Sequence, residues 1–134
     1  MIRVPIQLRY SDYDERGHVN NAVYLTYLEL GRVEAWRTVA GDDTTPPAFV
    51  VAQARIDYRS PALLGEPLVV EVHAGEVRSK AWTWTYRVVQ AATGRVIAEG
   101  ETTQVAYDYA ANRSMEIPAA MRAGLERIGK GDAG

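Results

Sequence analysis

The chain has 134 residues, 47% apolar and 24% charged, which fits one globular domain and excludes a disordered or fibrous protein. A formal net charge of −2 gives no electrostatic footprint for duplex nucleic acid or an anionic membrane, so neither is expected as a partner. There is no cysteine, which excludes a disulfide framework, a thiolate nucleophile and sulfur-ligated zinc; with only His18 and His73 available, no metal site is expected.

Residues 2–10 alternate, with Ile2, Val4, Ile6 and Leu8 against Arg3, Gln7 and Arg9, and predict a strand with one buried face. No uninterrupted apolar run here is long enough for a signal peptide or a membrane span, so a soluble, cytoplasmic protein is expected. Residues 11–20 are polar, contain Gly17, and read as a loop leading into a helix. From Asn21 to about Ala40 the alternation stops, and Tyr24, Leu25, Leu28, Ala35, Trp36 and Val39 fall on one side of a helix. Ala22, Val23, Tyr27, Leu30 and Val33 lie outside that stripe, so the helix is apolar around most of its circumference and is expected to be enclosed. Gly41 is its expected stop, followed by a loop over residues 42–47.

The remainder reads as strands over residues 49–58, 68–77, 81–89 and 96–109, the last one interrupted and curved at Gly100. Trp82, Trp84 and Tyr86 share one strand face and are assigned to the core or a subunit contact, while His73 is assigned to the surface. Short links at Ser79-Lys80 and Thr93-Gly94 favour antiparallel hairpins. Pro118 opens a final helix carrying Met121, Leu125 and Ile128, so a single domain is expected over residues 1–129, with a flexible tail over 130–134. An α+β arrangement follows. One curved antiparallel sheet of about five strands wraps around one long central helix, with a short C-terminal helix added, which is the hotdog fold. Such a sheet leaves an edge strand to be covered, and a homodimer or homotetramer is expected.

The stretch DYDERGHVNNAVYLTYLE, beginning at Asp12, resembles the helix entrance of the acyl-CoA thioesterases of the 4-hydroxybenzoyl-CoA thioesterase family. The matching positions are Asp12, Asp14, Gly17 and Tyr24, and the element order agrees along the whole chain, including Tyr58-Arg59-Ser60-Pro61, Gly65-Glu66, Arg113 and Ile117-Pro118. The resemblance implies hydrolysis of an acyl-CoA thioester, with Asp14 as nucleophile or general base. The run His18-Val19-Asn20-Asn21 is also similar to acyl-carrier-protein thioesterases, where an Asp, an Asn and a His stand at this spacing. Arg16 replaces that Asn here, so no full triad carries over.

The residue types suit this chemistry. A carboxylate attacks the thioester or activates water, and unpaired amides at a helix N-terminus stabilise the developing oxyanion. If Asn20 caps the helix, the amides of Asn21 and Ala22 are the expected donors, and Gly17 turns the loop so that Asp14 faces them. Asp12 is expected to be structural, and His18 to orient Asp14, bind substrate or act directly. Glu29 is read as part of a solvated helix face. Coenzyme A, entering as part of the substrate rather than as a separate cofactor, carries phosphates; Arg78 and Lys80 at a hairpin bend and Arg113 after the last long strand are the candidates to meet them. The alternatives are an acyl-carrier-protein thioester as substrate, or a hotdog module that binds an acyl thioester without cleaving it.

Overall fold

The alternating stretches in the second half of the chain all pair. β2 (Phe49–Tyr58), β3 (Leu68–Val77), β4 (Ala81–Gln90) and β5 (Val96–Asp108) join β1 (Ile2–Pro5) in one antiparallel sheet of order β1-β3-β4-β5-β2. A two-residue β6 (Arg113–Ser114), not anticipated from the sequence, pairs with the end of β5. The computed structural model describes residues 1–41 and 48–133, with side chains through residue 129, so the expected loop over 42–47 lies outside the described residues.

β1 is shorter than the alternation over residues 2–10 predicts. Ile6 still donates to the Leu68 carbonyl at 2.9 Å, but residues Tyr10–Asp12 form a 3-10 turn. β3 begins at Leu68 and offers no further ladder partner, and beyond it the Asp12 carboxylate accepts from the Arg9 amide at 3.1 Å and holds the turn. Gly100 does not interrupt β5. It stays in register opposite Tyr86 and Ile56, and a Cβ there would stand 3.2 Å from Leu28 Cδ1 and 2.8 Å from the Arg55 carbonyl.

The concave face carries the core. Val70, Val72, Trp82, Trp84, Tyr86 and Val88 are all buried, and α1 (Tyr24–Ala40) lies across them. The helix ends at Gly41, whose amide donates to the Arg37 carbonyl at 2.9 Å. α1 buries Tyr24, Tyr27, Leu28, Gly31, Ala35 and Val39 but leaves Leu25, Leu30 and Val33 exposed, so within one chain it is not enclosed as its composition predicts. Gly31 sets the depth of this packing, since a Cβ there would lie 2.7 Å from Val72 Cγ2 and 3.3 Å from both Val70 methyls. Gly31→Ala is therefore expected to destabilise the protein by about 1 kcal/mol in thermal or denaturant unfolding, overpacking outweighing the better helix propensity of alanine.

α2 (Ala119–Ala133) packs Met121, Leu125 and Ile128 against α1 and β3. Its backbone remains helical through Ala133, beyond the point where the composition predicts a tail. Among the described residues, no helix is long and apolar enough to cross a membrane.

Candidate active site

Asp12 anchors the corner between β1 and α1. It is buried; its carboxylate accepts from the Arg9 amide and guanidinium and from the Tyr27 hydroxyl at 2.9 Å, and its carbonyl accepts from the Asn20 amide at 2.8 Å. Both ends of the intervening loop are thus tied to one residue, the structural role expected of it. Within the loop Tyr13 bridges Val19, the Asp14 amide donates to the His18 carbonyl at 2.7 Å, and the Gly17 amide donates to the Asp14 carbonyl at 3.1 Å. Gly17 has φ +75°, a left-handed conformation that glycine adopts without a Cβ penalty.

The Asp14 carboxylate is held by main chain. Its Oδ1 accepts from the Arg16 amide at 2.9 Å and from the His18 amide at 3.2 Å, while Oδ2 has no donor among the described residues. The Arg16 amide bond, helped by the His18 amide and the nearby charges of His18 and Arg16, outweighs partial desolvation and holds this carboxyl below its ordinary 3.8. It is therefore ionised at neutral pH. If Asp14 in its ionised form limits turnover, the acid limb of the kcat/KM profile is expected below 3.8. A limb in the ordinary histidine range, about 6.5, would assign the essential ionisation elsewhere.

Asp14, His18, Asn21, Tyr24, Tyr58 and Arg59 line a cleft of about 360 Å³. Asp14 also borders a second groove of about 420 Å³, formed with Tyr10, Tyr13, Gly17 and Leu64. A 3-10 turn, Asn21–Val23, leads into α1 and is capped by Asn20 as expected. That cap corrects the assignment of Ala22, whose amide is taken by Asn20 Oδ1 at 2.9 Å and is not free to bind an oxyanion. The Val23 amide donates to the Asn20 carbonyl at 3.0 Å, leaving the Asn21 amide without an acceptor among the described residues.

Tyr58, which enters the sequence reading only as part of the Tyr58-Arg59-Ser60-Pro61 match and as a strand position with no role of its own, lines the cleft. Its hydroxyl donates to the Asn21 carbonyl at 2.8 Å and its ring meets Tyr24 edge-on, 5.4 Å between centroids. It fixes the peptide that follows the free amide. Tyr24 is buried and forms the cleft wall; burial pushes its phenol upward, the Ala62 amide opposing the rise. The far wall is clamped by Arg95, which pairs with Glu66 at 2.7 Å and donates to the Pro61 carbonyl at 3.1 Å.

Arg78, Lys80 and Arg113 do not join this cleft. Ala81 stands opposite Val105, whereas the cleft end of the sheet is marked by Val88 opposite Ala98, itself opposite Tyr58. Seven residues of strand, from 81 to 88, separate the two ends by about 23 Å. Arg78 is bound to Glu76 at 3.2 Å and gives its carbonyl to Arg122, and Arg113 lies in β6 at the same distant end. The cation at the cleft is instead Arg59, paired with Glu99 at 3.2 Å. Glu29 is exposed, as expected.

A curled antiparallel sheet carrying one long helix, with a carboxylate loop at the helix entrance, defines a hotdog protein. Residues 8–125 match the family described as the thioesterase-like superfamily, and the chain belongs to it, as a hotdog-fold thioester hydrolase. It is 27% identical to the long-chain acyl-CoA thioesterase FadM of Escherichia coli K12, over 96% of this chain and 100% of that protein. It is 28% identical to the acyl-CoA thioester hydrolase YbgC of E. coli O6:H1, over 81% of this chain and 83% of that one. Among solved structures, a thioesterase from Thermus thermophilus complexed with coenzyme A and Zn superposes with a TM-score of 0.85 at 30% identity, covering 96% of this chain and 93% of the other.

Proposed function

We propose that this protein hydrolyses acyl-CoA thioesters to a free carboxylic acid and coenzyme A, with Asp14 as nucleophile or general base. The observation that carries the reading is the shared cleft. Asp14, an ionised carboxylate with one unengaged oxygen, and Asn21, whose amide has no acceptor among the described residues, line the same space. As a base, Asp14 takes a proton from water while the hydroxide oxygen adds to the thioester carbonyl. As a nucleophile, Oδ2 adds directly, and water later opens the resulting anhydride. On either route the Asn21 amide donates to the tetrahedral oxyanion, the C–S bond breaks, and the thiolate leaves without needing a strong general acid.

The acyl group occupies the cleft, and the pantetheine arm crosses Asp14 into the groove beside Tyr10 and Tyr13. His18 borders the cleft and orients or contacts the substrate. The resemblance of the helix entrance to the 4-hydroxybenzoyl-CoA thioesterases supports the choice of Asp14, and the names of the FadM and YbgC relatives support an acyl-CoA over a carrier-protein thioester.

The protein acts as a homodimer, alone or doubled into a tetramer. β2 is an edge strand with Val51, Ala52, Gln53 and Ala54 exposed, and the exposed Leu25, Leu30 and Val33 of α1 leave apolar surface for a second copy. Antiparallel pairing of two β2 edges would bring the hairpin end of one protomer beside the cleft end of the other. Arg78, Lys80 and Arg113 then serve the phosphates of a coenzyme A bound in the partner's cleft. Free thiol release from a panel of acyl-CoAs tests the activity, and no release at any chain length would reduce the protein to a binding module.

A further inference from the structure

A second hollow lies farther along the seam between α1 and β2. Leu25, Leu28, Glu29 and Arg32, one stripe of the helix, face Val51 and Ala54 across about 210 Å³, with Thr102 of β5 beneath them. The end nearer the Asp14 cleft is lined by Leu25, Leu28 and Ala54, with Thr26 as its one polar side chain. Glu29 and Arg32 both line the far end, and neither has an ion-pair partner among the described residues.

Their spacing on the helix would permit a mutual pair, but none forms between them. The buried Tyr86 hydroxyl faces the Arg32 guanidinium and bonds Thr102 Oγ1 at 2.6 Å; Thr102 bonds Gln104, whose Nε2 donates to the Trp82 carbonyl at 3.2 Å. This chain of buried polar groups lies beneath the hollow, on the side of the sheet that Arg32 faces. Beside the Thr26 and Thr102 hydroxyls, the hollow of one chain therefore presents a cation that only donates and a carboxylate that only accepts, neither in an ion pair among the described residues, and such an arrangement favours a ligand group able to do both. From Asn21 to Arg32 is eleven residues, about 16 Å of helix rise, or on the order of a dozen bonds of an extended chain.

We propose that this hollow receives the far end of a long acyl chain and recognises a hydroxyl carried there, which donates to the Glu29 carboxylate and accepts from the Arg32 guanidinium. The inference rests on the acyl-thioester reading above and names the substrate class, a long ω-hydroxyacyl thioester. A single aromatic ring is too short to reach.

The test compares dodecanoyl-CoA, its ω-hydroxy derivative and its ω-carboxy derivative. Wild type is expected to favour the hydroxylated chain about tenfold in kcat/KM over the plain one, the scale of a hydrogen bond to a charged group. Glu29→Leu and Arg32→Met are each expected to bring that ratio to about one, and a ratio corrects for any general loss of activity. Equal rates on the hydroxylated and plain chains, a ratio unmoved by both substitutions, or a preference for the ω-carboxylate would overturn the proposal. Calorimetric binding of the non-hydrolysable thioether analogues separates it from the hydrolase reading. If no thioester is cleaved but the hydroxylated analogue still binds about tenfold tighter, recognition stands and hydrolysis falls; equal binding ends the recognition as well.

Discussion

Asp14→Asn is expected to lower kcat for acyl-CoA hydrolysis by about 10³-fold while leaving KM within a few fold, the range of a lost general base or nucleophile. The substitution isolates chemistry from architecture. An asparagine Oδ1 can still accept the Arg16 and His18 amides, so the turn that Asp14 organises is retained. What disappears is the charge and the unengaged second oxygen, the atom available to attack or to take a proton. Asp14→Ala removes the acceptor too and should add a loss of loop order, visible as a lower unfolding temperature that the Asn variant does not share. Steady-state thiol release with both variants, beside their melting curves, reads the two effects apart. A nearly unchanged kcat in Asp14→Asn would place the chemistry on another group of the cleft, with His18 the first to examine.

The sequence carries more of the fold than of the site, for a physical reason. A strand buried on one face declares itself by alternation, and β2 to β5 fall within a residue or so of where alternation puts them. Helix α1 is legible as a helix but not as an exposed one. Its apolar circumference describes the surroundings it needs, and a single chain covers only the stripe from Tyr24 to Val39. At the site, Gly17 and Asn20 are legible because each has a local backbone task, a positive φ and a cap. The same cap disqualifies Ala22, a consequence that depends on where the Asn20 side chain turns rather than on spacing. Tyr58 is quoted in the family match, but its place beside the cleft is not legible because its alternation is that of any strand residue; only the fold brings it 37 positions back along the chain to Asn21. Arg78, Lys80 and Arg113 show the converse. Composition marks them as exposed cations, but which end of the sheet they occupy is a matter of register, and register puts them about 23 Å from the cleft of their own chain.

Asp12→Ala is the substitution expected to cost the fold most, about 3 kcal/mol, or on the order of 10 °C in unfolding temperature. Among the described residues the buried carboxylate is the one acceptor for the Arg9 amide and the Tyr27 hydroxyl, and truncation strands the buried hydroxyl and frees the part-buried amide. The guanidinium of Arg9 is mostly exposed, so its lost ion pair adds little and the unsatisfied groups dominate. Tyr27→Phe removes one of those groups and is expected to cost less, and in the double variant with Asp12→Ala the two losses should fall short of additive because they share a bond. Acid supplies an independent reading. Burial raises the Asp12 carboxyl, but the Arg9 amide, the Tyr27 hydroxyl and the Arg9 guanidinium together leave it below its ordinary 3.8. A carboxyl lowered by folding contributes its full stability above the unfolded value and loses it as pH falls through the folded one. The stability gap between wild type and Asp12→Ala should therefore be constant near neutrality and narrow on acidification below about 3.8. A gap that persists unchanged into that range would mean the contacts survive protonation, and that the carboxylate charge is not what holds this corner.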